Sequence, residues 1–149
     1  MKMQNWIKRG LIIRPQKKKW NLSHCMLPTP LKINENKFKI FFGSRNNKNQ
    51  SSIGSVDILF KKQGFKVTNY TTKPLLKPGK LGHFDDNGVL PSSIIKKRGK
   101  TLLYYIGWQP RSTTRYSLIA GLSISADGIN FKRFFNSPIL KTNNSEPIS

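Results

Sequence analysis

The chain has 149 residues, of which 36% are apolar and 11% aromatic, enough for one ordinary domain with a core. That composition excludes collagen, a coiled coil and a disordered tail. The net charge of +21 would suit a polyanion partner, but Lys32, Lys39, Lys48, Lys61, Lys73, Lys96 and Lys132 scatter it along the whole chain. Only Lys17, Lys18 and Lys19 form a run, with Lys96, Lys97, Arg98 and Lys100 close to one. A dedicated nucleic-acid face concentrates its cations among stacking aromatics. The pattern therefore reads as a diffuse bias, which argues against a nucleic-acid partner.

From the N-terminus, residues 1–19 form a basic segment. The apolar stretch within Trp6–Arg14 is too short for a signal-peptide core, and no run approaches a membrane span. A cytoplasmic chain with no membrane partner is the expectation. The single cysteine, Cys25, excludes an internal disulfide and a zinc cluster. It reads as an ordinary buried thiol.

The next stretches alternate like strands. Thr29–Ile33, Phe38–Gly43, Ile53–Phe60 and Phe65–Tyr70 are followed by Ser92–Lys96, Thr101–Gly107, Ser117–Ser125 and Phe131–Phe135. Turn residues separate them at Asn34-Glu35-Asn36, Arg98-Gly99-Lys100 and Asp127-Gly128. No long segment carries a helical period.

The second set repeats the first. Leu27-Pro28-Thr29-Pro30-Leu31 returns as Leu90-Pro91-Ser92-Ser93-Ile94, and Phe41-Phe42-Gly43 as Tyr105-Ile106-Gly107. Ile53-Gly54-Ser55-Val56 returns as Ile119-Ala120-Gly121-Leu122, and Pro74-Leu75-Leu76 as Pro138-Ile139-Leu140. Four matches in register, about 64 residues apart, set the architecture. Units of four antiparallel strands, repeated, describe propeller blades. Blade one is expected at about 20–76, blade two at about 84–140 and the start of a third at 141–149, within one incomplete domain over 20–149.

The stretch Gly79-Lys80-Leu81-Gly82-His83-Phe84-Asp85-Asp86-Asn87-Gly88-Val89-Leu90-Pro91 resembles the start of the second blade in the arabinanase, invertase and levansucrase superfamily of five-bladed propeller glycoside hydrolases. It is most similar to a bacterial glycosyl-hydrolase-like branch of that superfamily. The resemblance runs on through Leu103–Trp108, Ile119–Phe131 and Ser137–Leu140, and upstream takes in Ser23-His24-Cys25 and Phe42–Arg45. It implies an all-β fold, a partial five-bladed β-propeller with an oligo- or polysaccharide as partner; no cofactor or metal is expected. Members of the family run to about twice this length, so a fragment of this kind is expected to be weak or inactive by itself.

Hydrolysis of a glycosidic bond needs two carboxyl groups, and the chain has six acidic residues. The resemblance implies a catalytic or pKa-tuning carboxylate at Asp85 or Asp86, only one of which should face a pocket if the segment is extended. It also implies a general acid near the start of blade three, where Glu146 stands. Alignment on Pro28 and Pro91 sets Leu22 and Ser23 against Asp85 and Asp86, so blade one brings no carboxylate. His24, opposite Asn87, is a candidate for binding sugar, as are Arg45 and Trp108 at the ends of the second strands. Asp127 is read as a turn residue, and Asp57 and Glu35 have no motif around them. The alternative is a carbohydrate- or polyanion-binding module without chemistry; a third possibility is a nonfunctional fragment with exposed sheet edges.

Overall fold

The structure, a computed structural model, describes residues 5–140. It is all-β: β1 (Ser23–Lys32), β2 (Lys37–Arg45), β3 (Ser51–Phe60), β4 (Phe65–Tyr70), β5 (Gly88–Lys97), β6 (Lys100–Pro110), β7 (Tyr116–Ser125) and β8 (Lys132–Arg133). All eight fall on the stretches that the sequence pattern predicts. β1 and β5 begin several residues earlier than expected, and β8 is cut to two residues, with the exposed Phe134 still donating its N–H to Leu122 O at 2.8 Å.

Pairing is antiparallel and sequential within each set of four, β1-β2-β3-β4 and β5-β6-β7-β8. One parallel residue pair, Ser51 with Gly88, joins the two sets into a mixed sheet. The tight turn between β5 and β6 puts Arg98 and Gly99 at φ 48° and 73°, the left-handed pair that a two-residue hairpin requires.

The two units share one internal packing scheme. In the first, Trp20 stacks on Phe42 with ring centres 6.3 Å apart and planes at 24°. In the second, Phe84 stacks on Tyr105 at 6.0 Å and 19°. Phe42 pairs with Gly54 across β2 and β3, and Tyr105 with Gly121 across β6 and β7. Each glycine lies directly under its aromatic lid, where a Cβ would collide with the ring. On the fourth strands, Tyr70 pairs with Val56 as Arg133 pairs with Ser123. Trp20 and Phe84, Phe42 and Tyr105, Gly54 and Gly121, and Tyr70 and Arg133 thus occupy equivalent places.

That equivalence differs by one residue from the motif alignment, which set Phe41 against Tyr105. For the lead-in, where the proline alignment set Leu22 rather than Asn21 against Asp85, the cause is in the inner strands. β1 carries two register shifts, between Ser23 and Met26 and between Met26 and Thr29, whereas β5 carries one, between Pro91 and Ser93. The additional bulged residue in β1 moves the whole lead-in by one position relative to the prolines.

Two apolar clusters follow. Phe42, Val56 and Ile58 form the smaller, covered by Ile12, Ile13, Trp20 and Tyr70. The larger joins Leu31, Phe41 and Ile53 of the first unit to Val89, Ile94, Leu103, Tyr105 and Phe131 of the second, with Phe41 edge-on to Phe131 at 5.7 Å. The other face of the second unit, with Leu102, Tyr104, Ile106, Trp108, Ala120, Leu122 and Ile124, is only half-buried.

Candidate functional site

The segment before β5 is a run of turns rather than an extended segment. His83 N–H donates to Lys80 O at 2.9 Å, Asp86 N–H to His83 O at 3.1 Å, and Gly88 N–H to Asp85 O at 3.2 Å. Successive turns aim the two carboxylates differently. Asp86 is half-buried, and its Oδ2 accepts the Gly82 N–H at 2.8 Å, which closes the turn. Among the described residues no group bonds its Oδ1, so that oxygen can meet a ligand.

Asp85 turns inward and is fully buried. Its Oδ2 accepts from Arg133 Nε at 2.8 Å and from Tyr105 Oη at 3.1 Å, and Arg133 Nη2 lies 2.7 Å away. Arg133 also donates to Lys77 O at 2.6 Å, so one guanidinium ties the lead-in to the far edge of its own unit. A buried carboxylate is tolerated only when paired in this way. The Tyr105 hydroxyl is pushed well above the ordinary phenol range, first by burial and then by the neighbouring Asp85 charge. It stays a hydrogen-bond donor at any physiological pH. Asp85 Oδ1 and His83 Nδ1 are buried without a hydrogen-bond partner.

The equivalent place in the first unit is held by Asn21, not by Leu22 or Ser23. Asn21 is also fully buried. Its Nδ2 donates to Tyr70 Oη at 2.6 Å and its Oδ1 accepts from Ser44 Oγ at 2.9 Å. Amide with phenol replaces carboxylate with guanidinium, so the first unit buries no charge here. Tyr70 is pushed up to about 12 by its burial.

Two sugar-binding candidates meet at the junction of the units. The Arg45 guanidinium carbon lies 5.7 Å from the centre of the Trp108 ring, a cation–π arrangement. Trp108 Nε1 donates to Ser51 Oγ at 2.8 Å, bridging the units above the Ser51–Gly88 pair. Arg45 Nη1 donates to Asn49 Oδ1 at 2.9 Å, while its Nε is buried without a partner. His24 stands apart: its exposed ring shares a 2.8 Å hydrogen bond with Ser23 Oγ at the start of β1, with φ 64°. Glu146 lies outside the described residues.

The remaining acids are engaged elsewhere. Asp57 pairs with Lys39 at 2.7 Å and Lys37 at 3.5 Å, and Glu35 with Lys32 at 2.8 Å. Asp127 accepts the Ile129 and Asn130 amides at 2.8 and 2.7 Å. Those bonds, that of Asn130 first, hold its carboxyl below the usual range. Cys25 is half-buried rather than buried; desolvation still raises its thiol pKa, against a weaker contact with Tyr70. Among the described residues no group of three or more His, Cys, Asp or Glu gathers to hold a metal ion. No described helix is long and apolar enough to cross a membrane.

No protein-family model matches the chain. An uncharacterised protein of Mycobacterium tuberculosis, found in strains CDC 1551 and H37Rv, is 37% identical over 145 residues. The match takes in 97% of this chain but 48% of the relative, so the chain spans about half the length of the curated relatives it matches. Among solved structures, the family 117 glycoside hydrolase Zg3597 of Zobellia galactanivorans matches with a TM-score of 0.60 and 20% identity, over 82% of this chain and 35% of that one. The chain shares its fold with part of a glycoside hydrolase. A glycoside-hydrolase-like protein of Parabacteroides distasonis gives a TM-score of 0.53 at 16% identity, over 80% of this chain and 34% of that one. The resemblance to the propeller glycoside hydrolases read from the sequence thus holds at the level of fold over part of a chain.

Proposed function

We propose that the two units are the first two blades of a five-bladed propeller glycoside hydrolase, and that the carbohydrate binds at the end where β1 and β5 begin. The observation that carries this reading is the seating of Asp85 and Asp86 at that end, beside the Arg45–Trp108 junction, on a fold shared with glycoside hydrolases. Asp86, with its free oxygen, is the carboxylate that touches substrate. Asp85, locked to Arg133, is a positioning residue that sets the turn carrying Asp86.

Glycoside hydrolysis needs a second carboxyl on the other side of the scissile oxygen. Asn21 and Leu22 occupy the equivalent places in the first unit, so that carboxyl comes from elsewhere, with Glu146 the candidate within this chain. The half-buried face of the second unit is equivalent to the face of the first that the second covers, and it is where a third blade docks. Hydrolysis by the whole assembly, with little or none from these two units, follows from that incompleteness.

A second reading rests on Asn21. A buried amide where the other unit has a carboxylate suits a carbohydrate-binding module without chemistry. Release of phenol from a panel of aryl glycosides, assayed on these two units joined to the remainder of the mycobacterial relative, separates the two. Turnover abolished in Asp86→Asn supports the hydrolase, whereas oligosaccharide binding with no turnover in any variant supports the binder.

A further inference from the structure

A cleft of about 500 Å³ opens beside the junction, lined by Lys17, Lys19, Leu22, Lys48 and the carboxamide residues Asn46 and Gln50. Three lysines line it, and among the described residues no carboxylate does. None of the ion pairs among the described residues uses Lys17, Lys19 or Lys48. Hydrogen bonds, not ion pairs, hold its walls. Asn46 Oδ1 accepts the Lys48 and Gln50 amides, both at 2.9 Å, and Asn46 Nδ2 donates to Gln50 Oε1 at 3.1 Å. On the other wall, Lys17 sits at φ 54° and Lys18 bridges to Asn21, leaving Lys17 and Lys19 to line the cleft.

The loop that carries Lys48 joins Arg45, stacked on Trp108, to Ser51, which bonds Trp108. The cationic cleft therefore adjoins the proposed sugar-binding end. Unpaired ammonium groups beside amides, in a cleft of sugar size, match a saccharide bearing anionic substituents better than a neutral one. We infer that this cleft is an anion-recognising subsite and that the carbohydrate is acidic, its carboxylates meeting Lys17, Lys19 and Lys48. The inference rests on the carbohydrate reading above, and it names the substrate class.

Calorimetric titration of the whole chain with an α-1,4-linked galacturonate hexasaccharide tests it, with a neutral hexasaccharide of glucose as the comparison. A triple variant, Lys17→Gln, Lys19→Gln and Lys48→Gln, is set against a charge-matched one, Lys96→Gln, Lys97→Gln and Arg98→Gln, whose residues line a separate cleft at the opposite end of the strands. The expected result is that the first variant loses roughly tenfold or more in affinity for the acidic sugar and the second loses little. Equal losses in both would assign the binding to diffuse charge and overturn the inference, as would no binding of the acidic sugar by the unmodified chain. Neutral sugar bound as tightly as acidic would overturn it while leaving the carbohydrate reading intact. Circular dichroism of both variants shows that each remains folded.

Discussion

Asn21 and Asp85 stand 64 residues apart in the chain and at the same point of two like-packed units. Each follows the aromatic lid of its unit, each is fully buried, and each faces the residue paired to the same position of the third strand. Tyr70 answers Asn21, and Arg133 answers Asp85. The pairs differ in charge but not in place, which makes the first unit an uncharged reference for the second.

The two aspartates should separate in experiment. Asp85→Asn leaves Arg133 without its counter-ion in a largely buried position, an expected cost of about 3–5 kcal/mol, read as a lowered urea midpoint. Asp86→Asn keeps an acceptor for the Gly82 N–H, loses only the charge on it, and should cost about 1 kcal/mol or less. In turnover or sugar binding the order reverses, with the folded Asp86→Asn protein the more impaired.

Exchanging the amide for a carboxylate in the first unit tests the reference. Asn21→Asp puts an acid opposite Tyr70 with no guanidinium to meet it, and burial raises its pKa. A raised acid contributes its stability below the unfolded value and loses it as pH rises through the folded one. The variant should therefore be close to the parent near pH 4 and markedly less stable at pH 7, measured by thermal melts across that range.

Alkali should weaken the fold through its tyrosines. Tyr70 is raised to about 12 and Tyr105 is raised as well, both first by burial. Their neutral forms are favoured in the native state, so the stability they contribute is present below pH 10 and lost as pH climbs from there through about 12. Tyr70→Phe should flatten part of that decline in a pH series of denaturant midpoints.

Much of this was legible in the sequence and some was not, for physical reasons. Alternating apolar residues and turn-forming glycines expose all eight strands, because strand faces and hairpins impose local patterns. The pairing of Asp85 with Arg133 spans 48 residues, and no local pattern marks a partner so far along the chain. Asn21 was hidden by the additional bulge in β1, which displaces the lead-in from the proline on which the repeat aligns. Arg45 and Trp108 were legible as candidates, but not their contact, since it crosses between units. Phe84 could have been found from Trp20, an aromatic at the same interval before a buried polar residue.

The glycines under the lids give a stability test of the repeat. Gly54→Ala and Gly121→Ala each drive a methyl group into an aromatic ring and should each cost about 1–3 kcal/mol, with similar losses in both units by equilibrium unfolding.

Amide chemical-shift mapping during titration with an oligosaccharide tests most directly whether the sugar binds where β1 and β5 begin. The expected result is a set of perturbed residues confined to 17–24, 45–51, 83–88 and 108, fading in Asp86→Asn. Perturbations centred on 97–100 and 126–128 instead, or none at millimolar sugar, would contradict a carbohydrate site at that end.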